Sequence, residues 1–395
     1  MTVERERDWT GAWTAAMMRP AASPWHRTWA MEGFDDHSVR QTIRLTAGGT
    51  RLRIRVSNRY GERPLRIAGV TVGHAAGAAA IRPGSMREVR FDGRASAEVP
   101  AGASLASDPV EFTVGSLDRL SVTLYLRDAT GPATHHHVAM TTTYRAHGDH
   151  RWDTDETAFA DTADPLLGAW YYIEGVEVVG GPALLPAIVA FGESTTDGVG
   201  STPNGDDRYP DALAERLIAA GRPRPVLNAG IGGNKLLADS ACVGEMGVTR
   251  FARDVLDQPG TGTVIVSIGM NDILRPGDQM CGIDRDDVPI TLERLVDGHR
   301  ALIRAAHERG VKMMGGTLLP FGSAPVWTPD ADALRREFNR WVRTSGEYDS
   351  VVDFERAIDP DGTGSIPAGH HMGDHLHPSP LGYEAMAHAV DLDSL

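Results

Sequence analysis

The chain has 395 residues, of which 41% are apolar, so it is too long for one ordinary domain of ~100–200 residues and apolar enough to bury a large core. Its 53 acidic against 39 basic residues leave a net charge of -14, which opposes adsorption to nucleic acid or to an anionic membrane surface. The two cysteines, Cys242 and Cys281, exclude a disulfide-dense scaffold and a four-thiolate zinc site, and the 44 Gly and 24 Pro follow no collagen-like repeat.

The start, from Met1 to Asp8, has no apolar core behind a basic segment, and no run approaches the ~18 apolar residues of a membrane-spanning helix. A cytoplasmic protein with no nucleic-acid or membrane partner is the expectation, although a mature secreted chain would read the same way. Up to about residue 180, short segments alternate apolar and polar residues, as in Leu52-Arg53-Ile54-Arg55-Val56 and Leu120-Ser121-Val122-Thr123-Leu124-Tyr125-Leu126. With turn pairs at Gly48-Gly49, Pro83-Gly84 and Asp92-Gly93, and no long helical pattern between residues 40 and 180, residues 1–180 read as a β-sandwich. Its simplest role is packing or shaping a substrate site. The run His135-His136-His137 falls on a strand or its edge, where a solvated or partly packed cluster is a simpler reading than a metal site.

From residue 183 the texture changes, and residues 181–395 read as a second domain. Apolar strands at Leu184–Phe191, Pro225–Asn228, Thr263–Ile268, Val311–Met314 and Val351–Phe354 alternate with amphipathic helices. The helical stripes Leu292, Leu295, Val296, His299, Leu302, Ile303, Ala306 and, later, Leu334, Phe338, Trp341 are core faces. The fold class is therefore α/β, a three-layer doubly wound parallel sheet behind an N-terminal β-sandwich. In such sheets functional groups gather at the carboxyl edge.

Three strand ends and one late loop carry polar groups there. Phe191-Gly192-Glu193-Ser194-Thr195-Thr196-Asp197-Gly198 sets Ser194 at a strand-to-helix turn, where it is either a nucleophile or a helix cap. Asn228-Ala229-Gly230-Ile231-Gly232-Gly233-Asn234 is a glycine-rich turn able to aim an N–H into a site; Lys235-Leu236 lacks the Lys-Ser/Thr of a phosphate loop. Gly269-Met270-Asn271-Asp272 places a side-chain amide at the third strand end, and Gly373-Asp374-His375-Leu376-His377-Pro378 supplies a carboxylate and an imidazole three residues apart. Asp374, His375, His377, His370 and His371 could instead be zinc ligands, but no His-Glu-x-x-His helix accompanies them and the other motifs would then have no role.

In this order and on these elements, the four blocks resemble the SGNH subgroup of the GDSL esterase and lipase superfamily, over about residues 183–391. The resemblance implies Ser194 as nucleophile, Asp374 and His377 as its triad partners, and an oxyanion hole made by the Ser194 and Gly233 N–H groups and the Asn271 side chain. It departs from the family at Glu193, where Gly-Asp-Ser is the rule. The region opening with Trp9-Thr10-Gly11-Ala12-Trp13 is similar to the sandwich that precedes the hydrolase domain in a bacterial branch of these esterases.

The expected chemistry is hydrolysis of a small-molecule or carbohydrate ester through an acyl-enzyme, small-acyl or O-acetyl substrates preferred, with no metal and no organic cofactor. An acyltransferase on the same site and a non-catalytic carbohydrate-binding protein are the alternatives. An imidazole base further implies activity that rises with pH as it loses its proton. Cys242 and Cys281 follow the second and third strands by similar distances, and the sequence leaves a bridge and two free thiols equally open.

Overall fold

The computed structural model describes residues 8–181, 185–274, 281 and 289–395. Met1 to Arg7 and Leu184, used above for the chain start and for the first α/β strand, lie outside the described residues. The chain forms two compact units, residues 1–184 with 203–205, and residues 185–202 with 206–395.

In the first unit two antiparallel sheets, of five and seven strands, are built around one core. One sheet runs Thr10–Thr14, Ile173–Val179, Gly49–Ser57, Val110–Val114; the other is centred on His37–Arg44, Arg119–Leu126 and Gly69–Gly77. The alternation puts Leu52, Ile54 and Val56 from the first and Leu120, Val122 and Leu124 from the second into the shared core, the arrangement by which a sandwich buries its inner faces. Gly48-Gly49 joins strands of different sheets, so it is a crossover and not a hairpin turn.

The outer faces are less exposed than the alternation implies. Ser121 and Thr123 are both buried, and at Thr123 the buried Arg40 donates to its Oγ1 (2.9 Å), to Ala79 O (2.7 Å) and to Asp153 O (2.7 Å), tying the 150s loop to that face. The histidine run, expected as a solvated or partly packed cluster, is packed more fully than either. His135-His136 pairs with Trp170-Tyr171, all three histidines are buried, and desolvation pushes the His135 imidazole down to about 3.

The second unit is a five-stranded parallel sheet of β1 (Ala187–Gly192), β2 (Val226–Gly230), β3 (Thr261–Ser267), β4 (Lys312–Gly316) and β5 (Ser350–Val352), in the order β2-β1-β3-β4-β5. Strands buried on both faces need apolar residues at successive positions, which is why Ile188, Val189, Ala190 and Phe191 run without a polar break. Even positions of β1 pack into one core with Leu213, Leu217, Val352 and Tyr383, and odd positions into another with Leu302, Ile303 and Phe338. The stripe on the long helix Leu292–Glu308 is buried at Leu295, Val296, His299, Leu302, Ile303 and Ala306. His299 is held inside by Ile268 O (3.0 Å) and Tyr348 Oη (2.6 Å), and burial pushes its imidazole down to about 4. This strand order reverses direction after β2, so the crevice outside the carboxyl ends of β1 and β3 is the switch point of the sheet. No helix among the described residues is long and apolar enough to cross a membrane.

Candidate active site

Ser194 lies one residue beyond Glu193, which directly follows β1, as the first residue of a four-residue helix, α1 (Ser194–Asp197). The helix fits tightly against the strand ends because of two glycines. A Cβ on Gly192 would overlap Thr196 Oγ1 and the Ser267 carbonyl, and one on Gly230 would overlap the Asp197 backbone. The N-cap residue of α1 is Glu193, and the Ser194 hydroxyl does not cap: it meets His377 Nε2 at 3.0 Å.

His377 and Asp374 sit in the loop before the last helix, Pro380–Ala389. Asp374 Oδ2 is 2.6 Å from His377 Nδ1, while Oδ1 accepts the N–H groups of Leu376 (3.0 Å) and His377 (3.0 Å). The chain folds back over three residues because His375 adopts φ 61°, the left-handed region that histidine tolerates better than most side chains. Burial alone would raise the Asp374 carboxyl. The imidazole hydrogen bond and charge, with the two backbone N–H donors, outweigh it and hold Asp374 well below the usual carboxylate range. An ionised Asp374 only accepts, so Nδ1 carries the hydrogen between them, and in the neutral imidazole Nε2 presents its lone pair to Ser194 Oγ.

The Ser194 and Gly233 N–H groups make no hydrogen bond among the described residues. Gly233 lies at φ 77° in the turn after β2, and that turn is fixed by Asp197 Oδ2 accepting the Gly232 N–H (2.6 Å) and by Asn234 N–H donating to Ile231 O (3.1 Å). Asn271 is differently placed. Its Nδ2 donates to Glu193 Oε2 (2.7 Å) and to Asn234 O (3.1 Å), so both amide hydrogens are engaged in this structure. Ser194, Gly233, Asn271, Asp374 and His377 are all half-buried, at the rim of a buried support.

That support contains the groups that sequence reasoning missed. The glutamate standing where the family has aspartate reaches the third strand end: Glu193 accepts Met270 N–H (3.1 Å), Asn271 N–H (3.2 Å) and the Asn271 amide. Burial pushes its carboxyl up to about 8, helped by the nearby Asp272 charge and opposed by those donors. Asp272 accepts Leu236 N–H (2.7 Å) and Leu237 N–H (3.0 Å), and burial pushes it up to about 6. Asp197, Glu193 and Asp272 all lie inside the quoted motifs, but a buried acceptor and an ordinary turn residue have the same one-letter code.

Of the other candidate ligands, His370 has a buried Nδ1 without a hydrogen-bond partner, whereas His371 is engaged locally. His371 Nδ1 accepts the Gly373 (3.0 Å) and His375 (3.3 Å) N–H groups, and its ring lies 4.1 Å from that of His375. Among the described residues, no three His, Cys, Asp or Glu side chains converge as a metal site.

Cys242 and Cys281, which the sequence left open, are disulfide-bonded with Cα atoms 5.7 Å apart. Val243, beside Cys242, accepts from Asn234 Nδ2 (2.8 Å), so the bridge ties down a segment that the Gly233 turn leans on. With a sequence separation of 39, chain entropy gives the bridge roughly 4 kcal/mol. Denatured, unreduced protein should show no free thiol, and reduction should lower the unfolding free energy by about that amount. Equal stability of reduced and oxidised protein would show that the bridge contributes nothing.

A profile of the GDSL-like Lipase/Acylhydrolase family matches residues 190–385. Among solved structures, the chain is similar to Axe2, an acetylxylan esterase from Geobacillus stearothermophilus (20% identity, 52% of this chain and 93% of that one, TM-score 0.40). It is also similar to a lipase/acylhydrolase from Enterococcus faecalis (20% identity, 52% and 93%, TM-score 0.39) and to LAE5, an alpha/beta hydrolase enzyme from the metagenome of Lake Arreo, Spain (21% identity, 52% and 94%, TM-score 0.39). No curated protein matches. The parallel sheet with its motif-bearing strand ends and the family match agree, and residues 190–385 form a GDSL-like lipase/acylhydrolase domain.

Proposed function

We propose that the protein is a serine esterase acting through an acyl-enzyme, with Ser194 as nucleophile, His377 as general base and Asp374 as the group that orients it. The observation that carries this is the continuous relay from Ser194 Oγ to His377 Nε2 (3.0 Å) and from His377 Nδ1 to Asp374 Oδ2 (2.6 Å). Nε2 takes the hydroxyl proton as Oγ attacks the ester carbonyl, the Asp374 charge stabilises the imidazolium, and the same proton passes to the leaving alkoxide. Water then repeats the sequence on the acyl-serine and returns the enzyme. No metal or organic cofactor takes part in these steps. Labelling by a fluorophosphonate at Ser194, lost in Ser194→Ala, tests the nucleophile; a chain that hydrolyses esters without labelling there refutes it.

The unengaged N–H groups of Ser194 and Gly233 support them as oxyanion donors, aimed where charge develops in the tetrahedral intermediate. Asn271 becomes the third when the hydrogen it gives to Asn234 O is shared with the oxyanion, while the bond to Glu193 keeps the amide in place. Asn271→Ala should then lower kcat by about 10²–10³ with a smaller change in KM. An unchanged kcat would leave Asn271 as turn structure alone. Small-acyl esters are the first substrates proposed and O-acetylated sugars the second, the latter because the sandwich unit is similar to those beside some carbohydrate esterases. Rates over a chain-length series of chromogenic esters test the order, which fails if long acyl chains are turned over fastest.

A further inference from the structure

Two of the three strand ends that carry the proposed donors converge on one buried cation. Arg250 lies on the short helix Gly247–Phe251, its side chain fully buried, and packs over the Phe191 ring with its guanidinium carbon 4.3 Å from the centroid. Its Nη2 donates to Gly192 O (2.8 Å), its Nη1 to Ala229 O (2.8 Å) and to Asp254 Oδ2 (3.3 Å), and its Nε to Asn234 Oδ1 (2.9 Å). Gly192 is two residues before Ser194, Ala229 is in β2 just before the glycine turn, and Asn234 is next to Gly233.

These bonds close a ring. Arg250 joins Gly192 to Asn234, Asn234 O accepts from Asn271, and Asn271 donates to Glu193, the neighbour of Gly192. We propose that Arg250 is a positioning residue for catalysis, whose planar fork sets the spacing between the Ser194 turn and the Gly233 turn and thereby aligns the oxyanion donors. The inference rests on the serine-esterase reading and adds to it a residue that touches no substrate. A lysine has a point charge on a flexible stem and cannot satisfy three divergent acceptors with one rigid plane, so it is the informative replacement. Asp254 supplies the countercharge, which makes the buried cation tolerable without using the three donors that face the turns. Displacement of donors by a fraction of an ångström weakens transition-state binding far more than ground-state binding.

The test compares wild type with Arg250→Lys, normalising rates to the sites labelled by a fluorophosphonate. Arg250→Lys should lose at least tenfold in kcat with KM within about twofold, and should weaken binding of a trifluoromethyl ketone, a tetrahedral-adduct inhibitor, by the same factor as kcat/KM. Hydrogen exchange at the 190–198 and 228–236 segments should accelerate. If the lysine variant does not fold, Asn234→Asp and Asn234→Leu serve instead: both lose the amide donors, only the aspartate keeps an acceptor for Arg250, and the aspartate variant should exceed the leucine variant in kcat by tenfold or more. Wild-type turnover per labelled site with unaltered exchange in Arg250→Lys, or equal rates for the two Asn234 variants, overturns the proposal. Absence of labelling in wild type strikes at the serine-esterase reading, and the exchange rates then decide by themselves whether Arg250 sets the two turns.

Discussion

Ser194→Ala and His377→Ala should each abolish ester hydrolysis, by about 10⁴–10⁶ in kcat, without unfolding the protein. The two side chains form one relay, 3.0 Å apart, so removing either leaves the other with nothing to activate. The double variant should therefore be little worse than either single one, whereas two independent contributions would multiply. Both residues are half-buried and neither holds a core together, so the thermal midpoint should move by only a few degrees. Steady-state rates and a melting curve on the three variants check this. Ser194→Ala turning over at near the wild-type rate would remove the nucleophile from the mechanism, and a multiplicative double variant would dissolve the relay.

The second large effect is on stability and comes from Glu193. Its carboxyl is pushed up from 4.5 to about 8 by burial, so between those values the folded chain holds a proton that the unfolded chain has released. The stabilising contribution is complete below the unfolded value and is lost as pH rises through the folded one. A shift of that size corresponds to a loss on the order of 5 kcal/mol across the window. Asp272, pushed up to about 6, acts in the same direction, whereas Asp374, held low, loses its contribution only in acid. Urea unfolding of wild type and Glu193→Gln from pH 5 to 9 separates Glu193 from the rest. The wild type should lose stability relative to the variant by several kcal/mol as pH rises. A difference independent of pH would mean that the three N–H donors keep the carboxylate ionised throughout.

Much of this domain was legible because its signals are local. The unbroken apolar run at Ile188–Phe191 and the stripe from Leu295 to Ala306 follow from the burial of each position, and burial is what periodicity records. The blocks around Ser194, Gly233, Asn271 and His377 were legible for a similar reason. Each is a short strand-end sequence whose glycines and small polar residues answer a backbone requirement, as at Gly192 and Gly230. The sandwich strands were legible on their inner faces only, since what covers an outer face, such as the loop held by Arg40, comes from far along the chain.

By itself the sequence determined two sheet-based domains, the change of texture near residue 180 and the identity of the polar groups at the carboxyl edge. Those depend on side-chain pattern within a dozen residues. Only the tertiary structure decided that the histidine run is buried, that Cys242 bonds Cys281, that the Asn271 amide is held by Glu193 and Asn234, and that Arg250 joins two strand ends. Each of these is a pairing between positions brought together by strand order. Whether a polar side chain is a solvated turn residue or a buried anchor depends on the partner that folding supplies, because the cost of desolvating it is offset only there.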